Sequence, residues 1–126
     1  MMTKQIKYRK NFKKQIKKIL HNSSWQRVFQ VSLPKEIDKK QRPPFDFIVY
    51  CLANNAPIPE YFYVHSLLGY SRTIGEIKRQ IGRSKLDIKI LELHFDGHTG
   101  DHLLIYADSP DMVVLIAIGT HSELFG

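Results

Sequence analysis

Histidine is concentrated in the last third of this chain. His94, His98, His102 and His121, four of its six, fall between Leu86 and Gly126. The chain closes on Gly119-Thr120-His121-Ser122-Glu123-Leu124-Phe125-Gly126, which puts a histidine, an acid and an aromatic directly after an apolar run. Imidazole takes and gives protons near neutral pH and also ligates metals, so two chemistries are open. The four-residue spacing of His94, His98 and His102 would align three rings on a helix, in the manner of a zinc site. Asp96-Gly97 and Gly100 oppose a helix there, so neither a metal nor any other cofactor is expected. Proton chemistry remains. Asp101 reads as a turn residue or as a carboxylate beside a histidine, and Phe125 as a core plug, as a ring in the site, or as both. His65, at the head of His65-Ser66-Leu67-Leu68-Gly69, reads either as a linker cap or as a group that faces the tail.

These residues need a frame. Lys4 to Arg9 alternates Ile6 and Tyr8 with basic residues, the pattern of a short half-buried strand. Asn11 offers a helix cap, and Phe12, Ile16, Ile19 and Leu20 then form one helical stripe, with Lys13, Lys14, Lys17 and Lys18 mainly outside it. His21 to Arg42 has poor periodicity and reads as an irregular or partly helical connection. Pro43-Pro44 can begin a second helix, carried by Phe45, Ile48, Val49, Leu52 and Ala53. Pro57 and Pro59 hold Ala56 to Glu60 extended. Tyr70 to Lys85, with Ile74, Ile77 and Ile81 among basic residues, reads as a short basic helix or a mobile loop. Leu86 to Phe95, Leu103 to Tyr106 and Met112 to Ile118 read as three strands, separated by turns at Asp96-Gly97 and Asp108-Ser109-Pro110-Asp111. The expected fold class is α+β: a small two-layer fold, an N-terminal helical hairpin packed on an antiparallel sheet, with one sheet face left uncovered to carry the site.

A chain of 126 residues, 43% hydrophobic, fits one domain over 1–126 with one modest core. No apolar run approaches the roughly 18 to 20 residues of a membrane span. Met1 to Lys18 carries lysines where a signal peptide has its apolar centre, so a cytoplasmic protein is expected. Cys51 is the only cysteine and sits in the apolar run Phe47 to Leu52, as a small buried hydrophobe would. The net charge of +7 is uneven: residues 1–42 hold thirteen of the 19 Lys/Arg and two of the 12 acids, +11 there against −4 over the remainder. Such a field draws phosphate polymers or an acidic protein, although a lysine-rich helix face can equally be no more than solvated.

Leu103-Leu104-Ile105-Tyr106, a turn, an apolar strand and the Gly119 to Phe125 tail together resemble the C-terminal half of the RelE/ParE toxin superfamily, and of its YafQ-like branch in particular. Leu52-Ala53-Asn54-Asn55-Ala56-Pro57-Ile58-Pro59 followed by His65 to Gly69 resembles that branch's helix end, proline-spaced linker and H-x-L-x-G segment. Tyr8 to Leu20 resembles its opening strand and helix. The resemblance implies a microbial-RNase-like fold and a toxin of a type II toxin-antitoxin system. It implies a ribosome-dependent endoribonuclease, an mRNA interferase that cuts mRNA in the A site without a metal. The partners implied are a cognate antitoxin and the ribosome with its mRNA and ribosomal RNA, with no membrane.

Carried onto this sequence, the family's site falls on His65, His94, Asp101 and His121 as the proton-handling set, with Phe125 as the terminal aromatic that stacks on a base or shapes the pocket. By the same logic Lys13, Lys14, Lys17 and Lys18 hold ribosomal RNA phosphates. The connection from His94 to Leu103 is longer than the family's usual one, so His98 is an alternate for His94. His102 stands where the family commonly has tryptophan and is a second alternate. Segments near 23–42 and 70–85 look like insertions relative to the branch. The alternative reading is a ParE-like gyrase-inhibiting toxin or a catalytically inactive binding toxin, against which the histidine set argues.

Overall fold

The protein is described here by a computed structural model that covers residues 3–126. Strand β1 (Gln5–Tyr8) runs through Arg9 into helix α1 (Lys10–Ile19). The helix starts before Asn11: Arg9 takes the extended cap conformation without a capping side chain, which corrects the expected cap. Phe12 and Ile19 are buried and Ile16 packs beside them, while Leu20 stays exposed, so the apolar stripe narrows at its end. A 3-10 turn at Ser23–Trp25 and the short helix α2 (Gln26–Phe29) follow. The irregular segment beyond is cinched by Asp38, which accepts from the Lys40 and Arg42 amides and from the Arg42 guanidinium. The Arg42 side chain, helped by these amides against the opposing effect of burial, holds the Asp38 carboxyl down to about 2. Helix α3 (Pro44–Ala53) has proline at its first position, where no amide donor is needed.

After a 3-10 turn at Glu60–Phe62 come β2 (His65–Ser66), α4 (Ser71–Ile81), β3 (Lys89–His94), β4 (Leu103–Asp108), β5 (Met112–Gly119) and α5 (His121–Phe125). The segment that the sequence left between helix and loop is therefore helical. It ends at Gly82, whose φ of 75° is a left-handed terminator that glycine adopts without a Cβ penalty.

The sheet order is β1-β5-β4-β3-β2. The last three strands form the expected antiparallel meander, β2 adds antiparallel to β3, and β1 joins parallel to β5. Helices α1, α2 and α3, with the 3-10 turn before α2, bury Phe12, Trp25, Val28 and Ile48 on one face, against Leu93, Leu104, Tyr106 and Leu115. This is the α+β, microbial-RNase-like arrangement of a helical layer on a mostly antiparallel sheet. The second face is not bare as expected. Ile74, Ile77 and Ile81 of α4 pack there on Ile90, Ile105, Ala107, Met112 and Val114, because the helix presents one apolar side and has no other surface on which to bury it.

A bulge sets the end of β5. Ile105 faces Ala117 but Tyr106 faces Leu115, so Ile116 is one residue extra. Ile116 and Ala117 both meet the second-face cluster, and Ile118 turns back into the helical layer's core. Beyond the reach of β1, the Ile118 amide donates instead to Gln15 Oε1 of α1 at 3.0 Å. Among the described residues no helix is long and apolar enough to cross a membrane.

Candidate functional site

Strand alternation decides which side chains meet. Leu91 and Leu93 of β3 point into the helical layer, so Glu92 and His94 point to the second face. Pairing of β2 with β3 sets His65 opposite Glu92 and brings it to the same place. His65 Nε2 lies 3.1 Å and His94 Nε2 lies 3.4 Å from the same oxygen, Glu92 Oε1.

The other ring nitrogens are fixed by backbone. His65 Nδ1 is 2.9 Å from the Tyr63 carbonyl oxygen, and His94 Nδ1 is 2.9 Å from that of Gly100. Carbonyl oxygens only accept, so each Nδ1 carries the hydrogen, and each Nε2 turns either a lone pair or, when the ring is charged, an N–H toward the carboxylate. Glu92 is 5% exposed, and its Oε2 is buried with no hydrogen-bond partner. One ligand atom each from His65, Glu92 and His94 fall within 4.8 Å of one another, close enough to share a metal ion.

Tyr63 stands over this group. Its backbone is left-handed, at φ 48° and ψ 54°, a conformation that costs a non-glycine residue about 1 kcal/mol. The twist points its carbonyl at His65 and lays its ring 4.7 Å from His65, 5.4 Å from His94 and 3.8 Å from His98.

A second group forms where β5 ends. Thr120 and Glu123 cap α5 reciprocally. Asp101 Oδ1 accepts the His121 amide at 2.7 Å and ties the β3–β4 connection to that helix. The rings of His121 and Phe125 are 5.0 Å apart. Phe125 is 43% exposed, so it plugs no core; its neighbour Leu124 packs against the second face and closes on Gly119 instead. In register, His94 lies opposite Leu103 and Leu103 opposite Gly119. Gly119 thus lies two strand spacings, about 10 Å, from His94, and α5 begins two residues after it.

The structure sorts the sequence-derived residues. His65 and His94 converge, and His121 and Phe125 pair with each other on α5, beyond the end of β5. Asp101 reaches a backbone amide, whereas the carboxylate between imidazoles is Glu92, which the sequence reading missed. The signal was there: Glu92 and His94, two apart in a strand, share a face. His98 lies tilted against Tyr63 with its ring 6.5 Å from that of His94, at the margin of the group. His102 goes to the helical layer, where its Nδ1 meets Asp96 Oδ2 at 2.6 Å and its ring stands edge-on to Trp25 at 4.4 Å. Lys13, Lys14, Lys17 and Lys18 are exposed on α1, in the layer across the sheet from Glu92.

A family model described as "Bacterial toxin of type II toxin-antitoxin system, YafQ" matches residues 4–126. No curated protein sequence matches the chain. Among solved structures, the E. coli DinJ-YafQ toxin-antitoxin complex superposes with a TM-score of 0.61 at 19% identity, over 99% of this chain and 100% of that one. A copper-bound mutant toxin from Helicobacter pylori gives 0.59 at 22%, over 98% and 100%. YafQ from E. coli gives 0.59 at 18%, over 98% and 99%. At these identities the likeness is one of fold.

Proposed function

The chain belongs to the YafQ family of bacterial type II toxins, and from that membership we propose that it is a cytoplasmic, ribosome-dependent endoribonuclease that cleaves mRNA in the A site. The observation that supports the reading is the convergence of His65 and His94 on Glu92, read as one bank of a cleft, with His121 following the end of β5, beyond β4, read as the other.

Cleavage without a metal needs a base for the 2′-hydroxyl proton and an acid for the departing 5′-oxygen. The 2′-oxygen attacks phosphorus as the P–O5′ bond breaks, leaving a cyclic phosphate and a 5′-hydroxyl. Attacking and leaving oxygens lie on opposite sides of phosphorus, which suits proton carriers on opposite banks. Glu92 is a positioning residue: it holds the Nε2 edges of His65 and His94 in one direction. Asp101 positions His121 through its amide. Tyr63 and Phe125, both partly exposed, offer rings on which an unstacked base can lie. The α1 lysines, on the far layer, serve docking to ribosomal RNA phosphates and not the reacting group. An acidic antitoxin is the natural protein partner for so cationic a surface, as the E. coli relative's complex with DinJ suggests.

The test is to add purified toxin to translating ribosomes and map mRNA ends. Cuts within the A-site codon are expected, reduced about 100-fold or more by His121→Ala. Intact mRNA together with inhibited DNA supercoiling would move the protein to the ParE-like alternative.

A further inference from the structure

We propose that His65 Nε2, the Glu92 carboxylate and His94 Nε2 form a binding site for a zinc-type divalent ion, and that occupancy of this site switches the cleft off.

Because the Tyr63 and Gly100 carbonyls hold both Nδ1 hydrogens, the neutral rings turn two lone pairs onto an anionic oxygen at 3.1 and 3.4 Å. Three electron-rich atoms crowd that space, and a positive charge among them relieves the repulsion. Protons on the Nε2 atoms answer the contacts at Oε1, but they leave Glu92 Oε2 buried without a partner. A divalent ion answers all of it, since a carboxylate can offer both oxygens.

The distances agree. Donors about 2.0–2.1 Å from a tetrahedral zinc are roughly 3.3 Å from one another, which two of the three edges here already match. The third pair is within 4.8 Å, and His65, with a side chain 32% exposed, is free to close it and to admit the ion. An imidazole whose Nδ1–H is held by a carbonyl while Nε2 faces inward is the usual arrangement around a metal. Two nitrogens and a carboxylate select zinc and its late first-row neighbours over magnesium or calcium, which prefer all-oxygen shells. Histidine spacing does not point to this set, because the spacing that suggests metal, His94-His98-His102, is not the one that converges.

Binding does not depend on the proposed nuclease activity, but the inhibition does. An ion on both Nε2 atoms removes the lone pairs that one bank of the cleft contributes to proton transfer.

The experiment titrates the metal-stripped full chain with zinc chloride by calorimetry and by thermal melting, with magnesium chloride in parallel. One zinc per chain is expected, with a rise in Tm. Affinity should fall at least about 100-fold in Glu92→Gln and in His94→Gln and stay unchanged in His102→Gln, whose ring lies on the other face. Circular dichroism of the unloaded variants checks that they fold. Zinc affinity that survives Glu92→Gln and His94→Gln, or a magnesium response equal to that of zinc, overturns the site. In the ribosome assay, zinc should suppress cleavage and a chelator restore it. Zinc that speeds cleavage overturns the switch. Absence of cleavage in every state, with zinc binding intact, removes the nuclease reading and leaves the site standing.

Discussion

His94 and His102 are eight residues apart, each beside a carboxylate, yet they end on opposite faces of one sheet with opposite character. At His102 the chemistry is closed. Asp96 takes the ring with one oxygen and the His102 amide with the other, and Trp25 covers the imidazole. At His94 it is open: one Glu92 oxygen serves two rings and the other serves none. Native interiors satisfy buried polar groups, so a saturated pair reads as architecture and an unsaturated one as a place kept for a ligand or a proton. Residue type and neighbour are alike in the two cases. What differs is the carboxylate: Asp96 spends both oxygens on His102, whereas Glu92 spends only one on its two rings.

This contrast can be broken experimentally. The largest effect is expected from His94→Gln, which should cut mRNA cleavage by about 100-fold to 10,000-fold while leaving the melting temperature nearly unchanged. A variant that melts early and cuts normally would reverse the two histidines' roles. On the other face, Trp25→Ala empties a fully packed site and should cost about 3–5 kcal/mol of stability in urea unfolding, with the cleft's zinc affinity retained.

The smallest effect concerns the Asp38 clasp, remote from both. Asp38→Asn should cost about 1–3 kcal/mol at neutral pH. Its carboxyl titrates near 2 in the fold against 3.8 ordinarily, so its contribution is complete above about pH 4 and fades as pH falls through 2. Melting curves of the two proteins should therefore converge in acid. Melting curves that already coincide at neutral pH would show that the clasp stabilises nothing.

Legibility in the sequence followed locality. The β3–β4–β5 meander was readable because apolar runs alternate with turn residues, and α3 because Pro43-Pro44 marks its start. The tail pair of His121 and Phe125 was read from its likeness to the family's tail, whereas helix α5, which puts both rings on one side, was not read in advance. Asn11 failed as a cap because Arg9 already adopts the cap conformation and the helix needs no side-chain help there. Glu92 was passed over because its parity with His94 marks a shared face but not the partner that completes the group. Its partner His65 is brought by a two-residue strand, too short to announce itself by periodicity. Tyr63 was hidden for a related reason: its left-handed backbone is imposed by the turn before β2, at a residue type that does not favour it.

The sequence by itself determined the order of elements, the cationic N-terminal half and the strand parity that sends Glu92 and His94 to one side. Those are properties of neighbours along the chain, set by steric preference and hydrophobic period. Only the tertiary structure decided that β2 would dock on β3, that α4 would cover part of the second face, and that His94 would stay open while His102 was sealed. Each of these depends on contacts between residues far apart in the chain, where burial of apolar area chooses the partner and the polar groups accept the positions that result.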